Sequence, residues 1–282
     1  MLDLSILSNL KKNYGYIVNI KQNNSALTNS VYLITFKTKK IIIKIFSKTK
    51  KNLFNRVNEA KLYKELSKTN FTPNLIDYKL NKYFIFDFIE SVKLDNIAEK
   101  LALSLGKIHN TKISFIEQKP QNINKLFTKY VNKISQNTFI TKSEKQKFTD
   151  IINYISYAFK IKNNFPLNIA FCHNDLNLDN LLLDKNNNLW VLDFEYASYN
   201  DIYFDIACVK IFLSKEDFDI FIKIYEREQN IKINNQKLNV FLLITTALSC
   251  AWALNFNYID IFNQYYLYAN THYNNILKHN EK

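Results

Sequence analysis

The chain has 282 residues, enough to bury a sizeable hydrophobic core, and this length predicts one large domain or one two-lobed unit. Hydrophobic residues make up 47% of the sequence and aromatic residues 15%, so the composition excludes an intrinsically disordered chain. The formal net charge of +13 leaves a nucleic-acid-binding protein open as an alternative, but the lysines are scattered and only Arg56 and Arg227 are arginines, which argues against nucleic acid as a partner.

The N-terminal part of the chain favours β-strands. Three short runs rich in Ile, Val, Tyr and Phe within residues 14–46 predict a three-stranded meander, because polar clusters separate them. Apolar residues then recur at helical spacing over residues 51–68, which predicts an amphipathic helix that ends before a proline. Two further strands, LIDYKL and YFIFDFIE, complete a predicted N-terminal lobe of residues 1–90.

The remainder, residues 91–282, is predicted to be a second lobe that is mainly helical. Helical patterns cover residues 97–110, 121–135, 143–160, 215–228 and 238–256. The exception lies within residues 169–196, where the apolar runs LLLD and LWVLDF flank an asparagine-rich turn at residues 185–188. The sequence thus predicts an α+β fold with a small β-rich lobe, followed by a larger helical lobe that contains a short hairpin.

The clearest chemical pattern is HNDLNLDN at residues 173–180, followed after the predicted hairpin by LDFE at residues 192–195. Phosphoryl transfer needs a group that accepts the proton of the attacking hydroxyl, and oxygen ligands that hold magnesium against the phosphates of ATP. Asp175, Asn180 and Asp193 supply these groups at a suitable spacing. The alternative is a chance pattern of turn residues in an asparagine-rich chain.

The stretches FCHNDLNLDNLLLD and WVLDFEYASYNDIYFDIA resemble the choline and ethanolamine kinase family, within the protein-kinase-like small-molecule kinases. This resemblance implies a two-lobed protein-kinase-like fold that uses ATP and Mg²⁺. It implies that Asp175 is the catalytic base and that Asn180 and Asp193 are the Mg²⁺ ligands. It also implies that His173 and Asp205 support the catalytic loop.

The resemblance extends to a nucleotide site in the first lobe. Lys44, in IIIK, is similar to the strand lysine that contacts the α- and β-phosphates, and Glu59 lies where the following helix could pair with it. The segment at residues 23–30 resembles the G-G-x-T-N segment of the family without either glycine, and retains Thr28 and Asn29. The hinge that would meet adenine is placed at Asp87, Phe88 and Ile89.

The acceptor site is expected in the second lobe. A quaternary ammonium group cannot donate hydrogen bonds, so aromatic faces and a nearby carboxylate would have to bind it. Segments similar to the aromatic helices of choline kinases supply candidates, namely Trp252, Tyr265, Tyr268 and, from the LDFE segment, Glu195. Choline is the expected acceptor, with ethanolamine, thiamine or an aminoglycoside as alternatives. The competing interpretation is that these aromatic residues pack in the core.

The remaining expectations concern location and state. Three cysteines that lie far apart suggest neither a zinc site nor a disulfide framework. No apolar run is expected to reach the roughly 18 residues of a membrane span, and the cytoplasm is the expected location. ATP and a small acceptor are the expected partners, and the oligomeric state stays open. A catalytically silent nucleotide-binding scaffold is the alternative from another functional class.

Overall fold

The structure is a computed structural model that describes residues 3–23, 29–47 and 55–280. Its elements follow one another as α1 (Leu4–Tyr14), β1 (Ile17–Asn23), β2 (Ser30–Phe36), β3 (Lys40–Ile45), α2 (Arg56–Leu66), β4 (Leu75–Lys79), β5 (Tyr83–Asp87), β6 (Ser91–Val92), α3 (Ala98–Asn110), α4 (Ile123–Ser135), α5 (Lys142–Lys162), β7 (Ile169–Cys172), β8 (Leu181–Asp184), β9 (Leu189–Val191), β10 (Ser198–Asp201), α6 (Tyr203–Phe212), α7 (Lys215–Gln229), α8 (Asn235–Asn255) and α9 (Ile259–Asn280).

The chain forms two compact units, and the first of them is discontinuous. One unit comprises Met1–Ile97 and Asp179–Tyr196, and the other comprises Ala98–Leu178 and Ala197–Lys282. The hairpin β8–β9, expected within the helical lobe, therefore groups with the N-terminal part. Two contacts explain this grouping. The Val191 amide donates to the Phe71 carbonyl at 2.7 Å, and Phe194 packs against Tyr63. The division of the chain at residue 90 stays a prediction.

The first unit is built on an antiparallel sheet with strand order β1-β2-β3-β5-β4, which contains the five predicted strands. The isoleucines of β2, β3 and β5 alternate toward one fully buried face, as period-2 patterning requires. Helix α1, which the sequence analysis did not predict, begins at the N-cap Asp3 and packs against this face through Ile6 and Leu10. A second small sheet of order β6-β8-β9 belongs to the same unit.

Helix α2 follows β3 and carries residues of the candidate site. It begins after Asn55, whose side chain accepts a hydrogen bond from the Asn58 amide at 3.1 Å, and it ends at Leu66. The predicted helix began at residue 51, but residues 48–54 lie outside the described residues. The buried face of α2 presents Arg56, Glu59 and Tyr63, which are spaced by three and four residues and therefore lie on one side of the helix.

The second unit is organised around α8, which packs against α4, α5, α6 and α9. An 18-residue window of α8 has a mean hydropathy of 1.6, so this helix is long and apolar enough to cross a membrane, by length and composition alone. Of that window, 78% is buried inside the protein, as in a core helix, and the expected absence of a membrane span stays a prediction.

Two sets of polar contacts hold other elements of this unit. The buried Lys237 ammonium of α8 binds the Asp201 carboxylate of β10 at 2.6 Å and the Pro166 carbonyl at 2.6 Å. Helices α5 and α9 are joined by three side-chain hydrogen bonds between residues that are each 116 positions apart, which makes the two helices parallel. The three pairs are Lys147 with Asn263, Asp150 with Tyr266, and Tyr154 with Asn270.

Candidate active site

Lys44 lies at the centre of a buried charge cluster in the first unit. The register of β3 places its side chain toward α2, and its Nζ atom lies 3.4 Å from the Glu59 carboxylate. The same Nζ atom lies 2.6 Å from Asp193 Oδ1 and 3.5 Å from Glu195 Oε2. The expected contact between Lys44 and Glu59 is therefore present, and the lysine also contacts two acidic residues of the LDFE segment.

Burial and charge act in opposite directions on these groups. Burial alone would lower the pKa of the Lys44 ammonium, but Asp193, Glu59 and Glu195 raise that pKa well above its ordinary value. Burial, with a contribution from Asp193, raises the pKa of the Glu195 carboxyl, although Lys44 and Arg56 oppose this shift. Lys44 is consequently held as a cation among carboxylates.

Arg56 is a member of this cluster that the search for functional residues missed. Its Nη1 atom donates to Glu195 Oε2 at 3.0 Å and also forms an ion pair with Glu59. The guanidinium carbon lies 4.0 Å from the centre of the Phe46 ring, so the group is stacked as well as hydrogen-bonded. One sequence signal could have revealed it: Arg56 is one of two arginines and stands three residues before Glu59.

The structure brings the predicted metal ligands Asn180 and Asp193 into one unit through the main chain. The Leu192 amide, next to Asp193, donates to the Asn180 carbonyl at 2.8 Å. Asp193 has a φ angle of 60°, in the left-handed region, and its amide donates to the Tyr63 hydroxyl at 3.0 Å. Helix α2 therefore fixes the backbone that carries the Asp193 carboxylate.

The segment that would cover the phosphates is described only in part. Thr28 lies outside the described residues, whereas Asn29 is buried and its side-chain amide donates to Glu195 Oε2 at 3.4 Å. Glu195, which the sequence analysis assigned to the acceptor, thus has Lys44, Arg56 and Asn29 as its partners in the first unit. Its role toward an acceptor stays a prediction.

The predicted adenine hinge follows β5. The Asp87 amide donates to the Asn74 carbonyl at 3.1 Å, and the Asp87 carboxylate accepts from the Asn74 side chain at 3.0 Å. Phe88 and Ile89 are half-buried, and the Lys40 ammonium lies 5.2 Å from the centre of the Phe88 ring. The contact with adenine that was predicted for these three residues stays a prediction.

In the second unit, the fully buried Asp205 carboxylate on α6 holds the start of the HNDLNLDN loop. It accepts hydrogen bonds from the main-chain amides of His173 at 2.8 Å and Asn174 at 2.7 Å. A ring nitrogen of His109 lies 3.1 Å from the same carboxylate, and the other ring nitrogen contacts the Tyr225 hydroxyl. His109 and Tyr225 gave no sequence signal, because α3 and α7 lie far from the motif along the chain.

The backbone at Asp175 is fixed by its two neighbours. The Asp175 amide donates to His173 Nδ1 at 3.2 Å, so this nitrogen acts as the acceptor of the buried imidazole. Asn174 has a φ angle of 63°, and its side chain is hydrogen-bonded to Ser198 at 2.9 Å and to Asn200 at 2.8 Å. Asparagine tolerates this left-handed conformation better than most residues, and both hydrogen bonds are made to residues of β10.

The aromatic residues predicted for the acceptor form two groups in α8 and α9 and in the turn that joins them. Trp252 packs against Phe256 and Tyr258, with ring centroids 5.7 Å and 5.5 Å away. Tyr265 and Tyr268 meet edge to face at 6.3 Å. Trp252 and Tyr265 are half-buried and Tyr268 is exposed, so none of the three is sealed inside the core.

Tyr265 is also linked electrostatically to the candidate base. Burial raises the pKa of the Tyr265 hydroxyl to about 12, with further contributions from Cys208 and from the Asp175 carboxylate. A hydrogen bond to Ser249 acts in the opposite direction. The second unit therefore brings one of the predicted acceptor residues into the electrostatic environment of Asp175.

Comparison with known proteins identifies the family. The model described as choline/ethanolamine kinase matches residues 20–242. Probable choline kinase 3 of Arabidopsis thaliana is 25% identical over 228 residues, which cover 72% of this chain and 63% of that protein. The probable ethanolamine kinase of the same plant is 27% identical over 229 residues, which cover 72% of this chain and 60% of that protein. The matched region thus spans less than two thirds of these relatives.

Solved structures agree on the fold. The choline kinase LicA from Streptococcus pneumoniae superposes with a TM-score of 0.83 at 18% identity, covering 96% of this chain and 98% of that one. The gentamicin-APH(2")-IIa complex superposes with a TM-score of 0.69 at 15% identity, covering 95% and 96%. At these identities the likeness establishes the α+β protein-kinase-like fold. Since the family model matches most of the sequence, this chain belongs to the choline/ethanolamine kinase family.

Proposed function

We propose that this chain transfers the γ-phosphoryl group of ATP to the hydroxyl group of a small amino alcohol, with choline as the first candidate. The observation that carries the proposal is the position of the buried Lys44 ammonium, 3.4 Å from Glu59 and 2.6 Å from Asp193. In protein-kinase-like phosphotransferases a strand lysine contacts the phosphates, a helix glutamate orients that lysine, and an aspartate binds magnesium. The three residues here have the chemistry for these roles.

Asp175 is the proposed general base. A carboxylate can accept the proton of the attacking hydroxyl only if it is held at a defined position. The main-chain amides of His173 and Asn174 donate hydrogen bonds to the Asp205 carboxylate, and the Asp175 amide donates to His173 Nδ1. These hydrogen bonds hold the main chain beside Asp175. His173 and Asp205 thus act on the loop backbone, while the Asp175 side chain would receive the proton.

Asn180 and Asp193 are the proposed magnesium ligands. An amide oxygen and a carboxylate are hard oxygen donors of the kind that Mg²⁺ prefers, so the chemistry of Asn180 and Asp193 fits a divalent cation. When bound, Mg²⁺ neutralises charge on the phosphates of ATP. The protein residues fix the position of the ligands through the Leu192 to Asn180 and Asp193 to Tyr63 hydrogen bonds.

The remainder of the nucleotide site is proposed from the family resemblance. Thr28 and Asn29 would lie at the phosphates, and main-chain groups of Asp87, Phe88 and Ile89 would meet adenine. A solved LicA structure is described as a complex with AMP, which supports a nucleotide site in this fold. The Asn74 contacts that hold Asp87 give the hinge segment a defined backbone.

The acceptor is proposed to bind among Trp252, Tyr265 and Tyr268, with Glu195 as a carboxylate contact. Aromatic faces attract a quaternary ammonium group without hydrogen bonds, which favours choline. Ethanolamine is the second candidate, because the relatives include a probable ethanolamine kinase. Thiamine and aminoglycosides remain alternatives from the same reaction class.

The decisive experiment measures ADP release by the purified chain with Mg-ATP and each acceptor in turn: choline, ethanolamine, thiamine and gentamicin. We expect choline to raise ADP release well above the rate without acceptor. A larger kcat/KM for another acceptor would reassign the substrate. Binding of Mg-ATP with no stimulation by any acceptor would instead favour the nucleotide-binding scaffold.

A further inference from the structure

The charge cluster of the first unit contains two cationic and three anionic side chains. Lys44 and Arg56 are the cations, and Glu59, Asp193 and Glu195 are the carboxylates. All except Asp193 have side chains that are at least nine-tenths buried. The two cations are not equivalent, because Lys44 contacts all three carboxylates, whereas Arg56 is bonded to Glu59 and Glu195.

This arrangement matters when a nucleotide binds. The Lys44 ammonium can contact phosphates only if it gives up part of its present contacts, of which the 2.6 Å contact to Asp193 is the shortest. Glu59 and Glu195 would then lose part of the charge that balances them. A buried carboxylate without a cationic partner is strongly unfavourable, so a second cation has to stay with them.

We propose that Arg56 is a positioning residue of the nucleotide site, which balances Glu59 and Glu195 so that Lys44 can exchange Asp193 for phosphate. The inference rests on the proposed function, because it assumes that Lys44 serves a nucleotide. Arginine suits this role better than lysine, since its Nη1 atom bonds to both Glu59 and Glu195 while the planar face of the group stacks on Phe46. In this role Arg56 acts on Lys44 through Glu59 and Glu195.

Four variants test the inference: Arg56→Met, Arg56→Lys, the double variant Arg56→Met with Glu195→Gln, and the control Arg227→Met. Arg227 is the other arginine of the chain and forms an exposed ion pair with Glu228 on α7. The first readout is the Kd for a non-hydrolysable Mg-ATP analogue, measured by calorimetry without acceptor. The second readout is the melting temperature without nucleotide, so that each Kd can be measured on folded protein.

Arg56→Met should raise this Kd at least tenfold, and Arg56→Lys should raise it less. The double variant should recover most of the loss, because it removes the unbalanced carboxylate together with the arginine. Arg227→Met should leave the Kd unchanged. A merely structural role would lower the melting temperature of Arg56→Met without this pattern in the Kd.

Two results would overturn the inference. One is an unchanged Kd in folded Arg56→Met. The other is a double variant that is as stable as the parent but binds the nucleotide at least tenfold more weakly than the parent, a comparison that can be made even if the single variant does not fold. A parent that binds the nucleotide but phosphorylates no amino alcohol would defeat the proposed acceptor and leave the role of Arg56 standing.

Discussion

Two residues of the motif, Asn174 and Asp193, have positive φ angles of 63° and 60°. Each stands next to or at a predicted functional position, and each is held by specific hydrogen bonds, to β10 in one case and to Tyr63 in the other. Left-handed backbone at a residue other than glycine is unfavourable and is retained only where the surroundings determine it. Substitution of Asp193 would therefore alter both a carboxylate and a constrained backbone, which makes Asp175 the cleaner position for a test of chemistry.

Asp175→Asn should lower kcat by about 10²-fold or more, because the amide cannot accept the proton of the acceptor hydroxyl and general-base catalysis contributes roughly 10²–10⁴-fold. The substitution keeps the size of the side chain. Steady-state kinetics with Mg-ATP and the best acceptor measure the effect. The matched control is Asp219→Asn on α7, an exposed aspartate paired with Lys215, which should retain parental turnover.

Turnover of Asp175→Asn within threefold of the parent would end the assignment of Asp175 as the base. Loss of turnover together with a lower melting temperature would not separate an effect on catalysis from an effect on folding. The melting temperature should therefore be measured on the same protein samples.

Trp252→Ala should raise the KM for a cationic acceptor more than tenfold. A desolvated cation over an indole face gains about 2 kcal/mol, which corresponds to roughly thirtyfold in affinity. Trp252→Phe should recover part of the loss, because phenylalanine keeps a weaker π face. The control is Trp190→Phe in the β8–β9 hairpin, where the other tryptophan of the chain donates to Asp184. A lower melting temperature with an unchanged acceptor KM would assign Trp252 to the core.

For individual residues of the candidate site, the sequence allowed predictions where the residues lie close together along the chain. The spacing of Asp175, Asn180 and Asp193 indicated phosphoryl transfer, and the contact expected between Lys44 and Glu59 is present at 3.4 Å. The residues that hold these groups were not predictable. His109 reaches Asp205 across 96 positions of the chain, and no local pattern reports such a contact.

At the scale of elements, the parallel pair α5 and α9 shows how polar side chains can join two helices of the second unit. The Tyr266 hydroxyl donates to the Asp150 carboxylate at 2.8 Å, and the stacked rings of Tyr154 and Tyr273 lie with their centroids 4.2 Å apart. Burial and the neighbouring Asp150 carboxylate raise the pKa of Tyr266, so its proton stays on the hydroxyl at neutral pH.

Tyr266→Phe should lower the free energy of unfolding by about 1 kcal/mol, because it removes one half-buried hydrogen bond to a carboxylate and keeps the ring. Urea denaturation measures the change. The control is Tyr16→Phe at a residue that is 70% exposed, which should change stability by less than about 0.5 kcal/mol. Equal stabilities of the two variants would show that the hydrogen bond from Tyr266 to Asp150 contributes little.

The strands of the first unit were predictable because short runs rich in Ile, Val, Tyr and Phe are separated by polar clusters. Two helices were missed for different reasons. Helix α1 buries only Ile6 and Leu10, which is too few for a clear period. Helix α6 buries residues on every side, so its sequence YFDIACVKIF shows little amphipathic pattern. The position of β5 between β3 and β4 is also a property of long-range pairing.

At the scale of the whole molecule, acid stability should depend on His272 of α9. Burial, with a contribution from Lys210, lowers the pKa of this imidazole to about 4 from an ordinary value of 6.5. The unfolded chain therefore binds more protons between these two values. The stabilisation is present above pH 6.5 and is lost as the pH falls through 4.

His272→Gln should make the free energy of unfolding less dependent on pH over this range, by about 1–3 kcal/mol between its ends. Urea denaturation of parent and variant at several pH values between 4 and 7 measures the difference. The quantity compared is the slope of the free energy of unfolding against pH, because the substitution can also change stability by the same amount at every pH. Parallel curves for the two proteins would contradict the pKa direction given for His272.

The discontinuity of the first unit has a consequence for synthesis on the ribosome. Lys44 and Arg56 are made early, but their partners Asp193 and Glu195 emerge only after the whole segment Ala98–Leu178. Arg56 and Glu195 are 139 positions apart, so at typical elongation rates of about 5–20 residues per second this delay lasts roughly 7–28 s. During that interval Glu59 is the carboxylate of the cluster that has already been made, and it has to balance both Lys44 and Arg56. The N-terminal part should therefore complete its folding only after residue 196 has left the exit tunnel, whatever the order of the other helices.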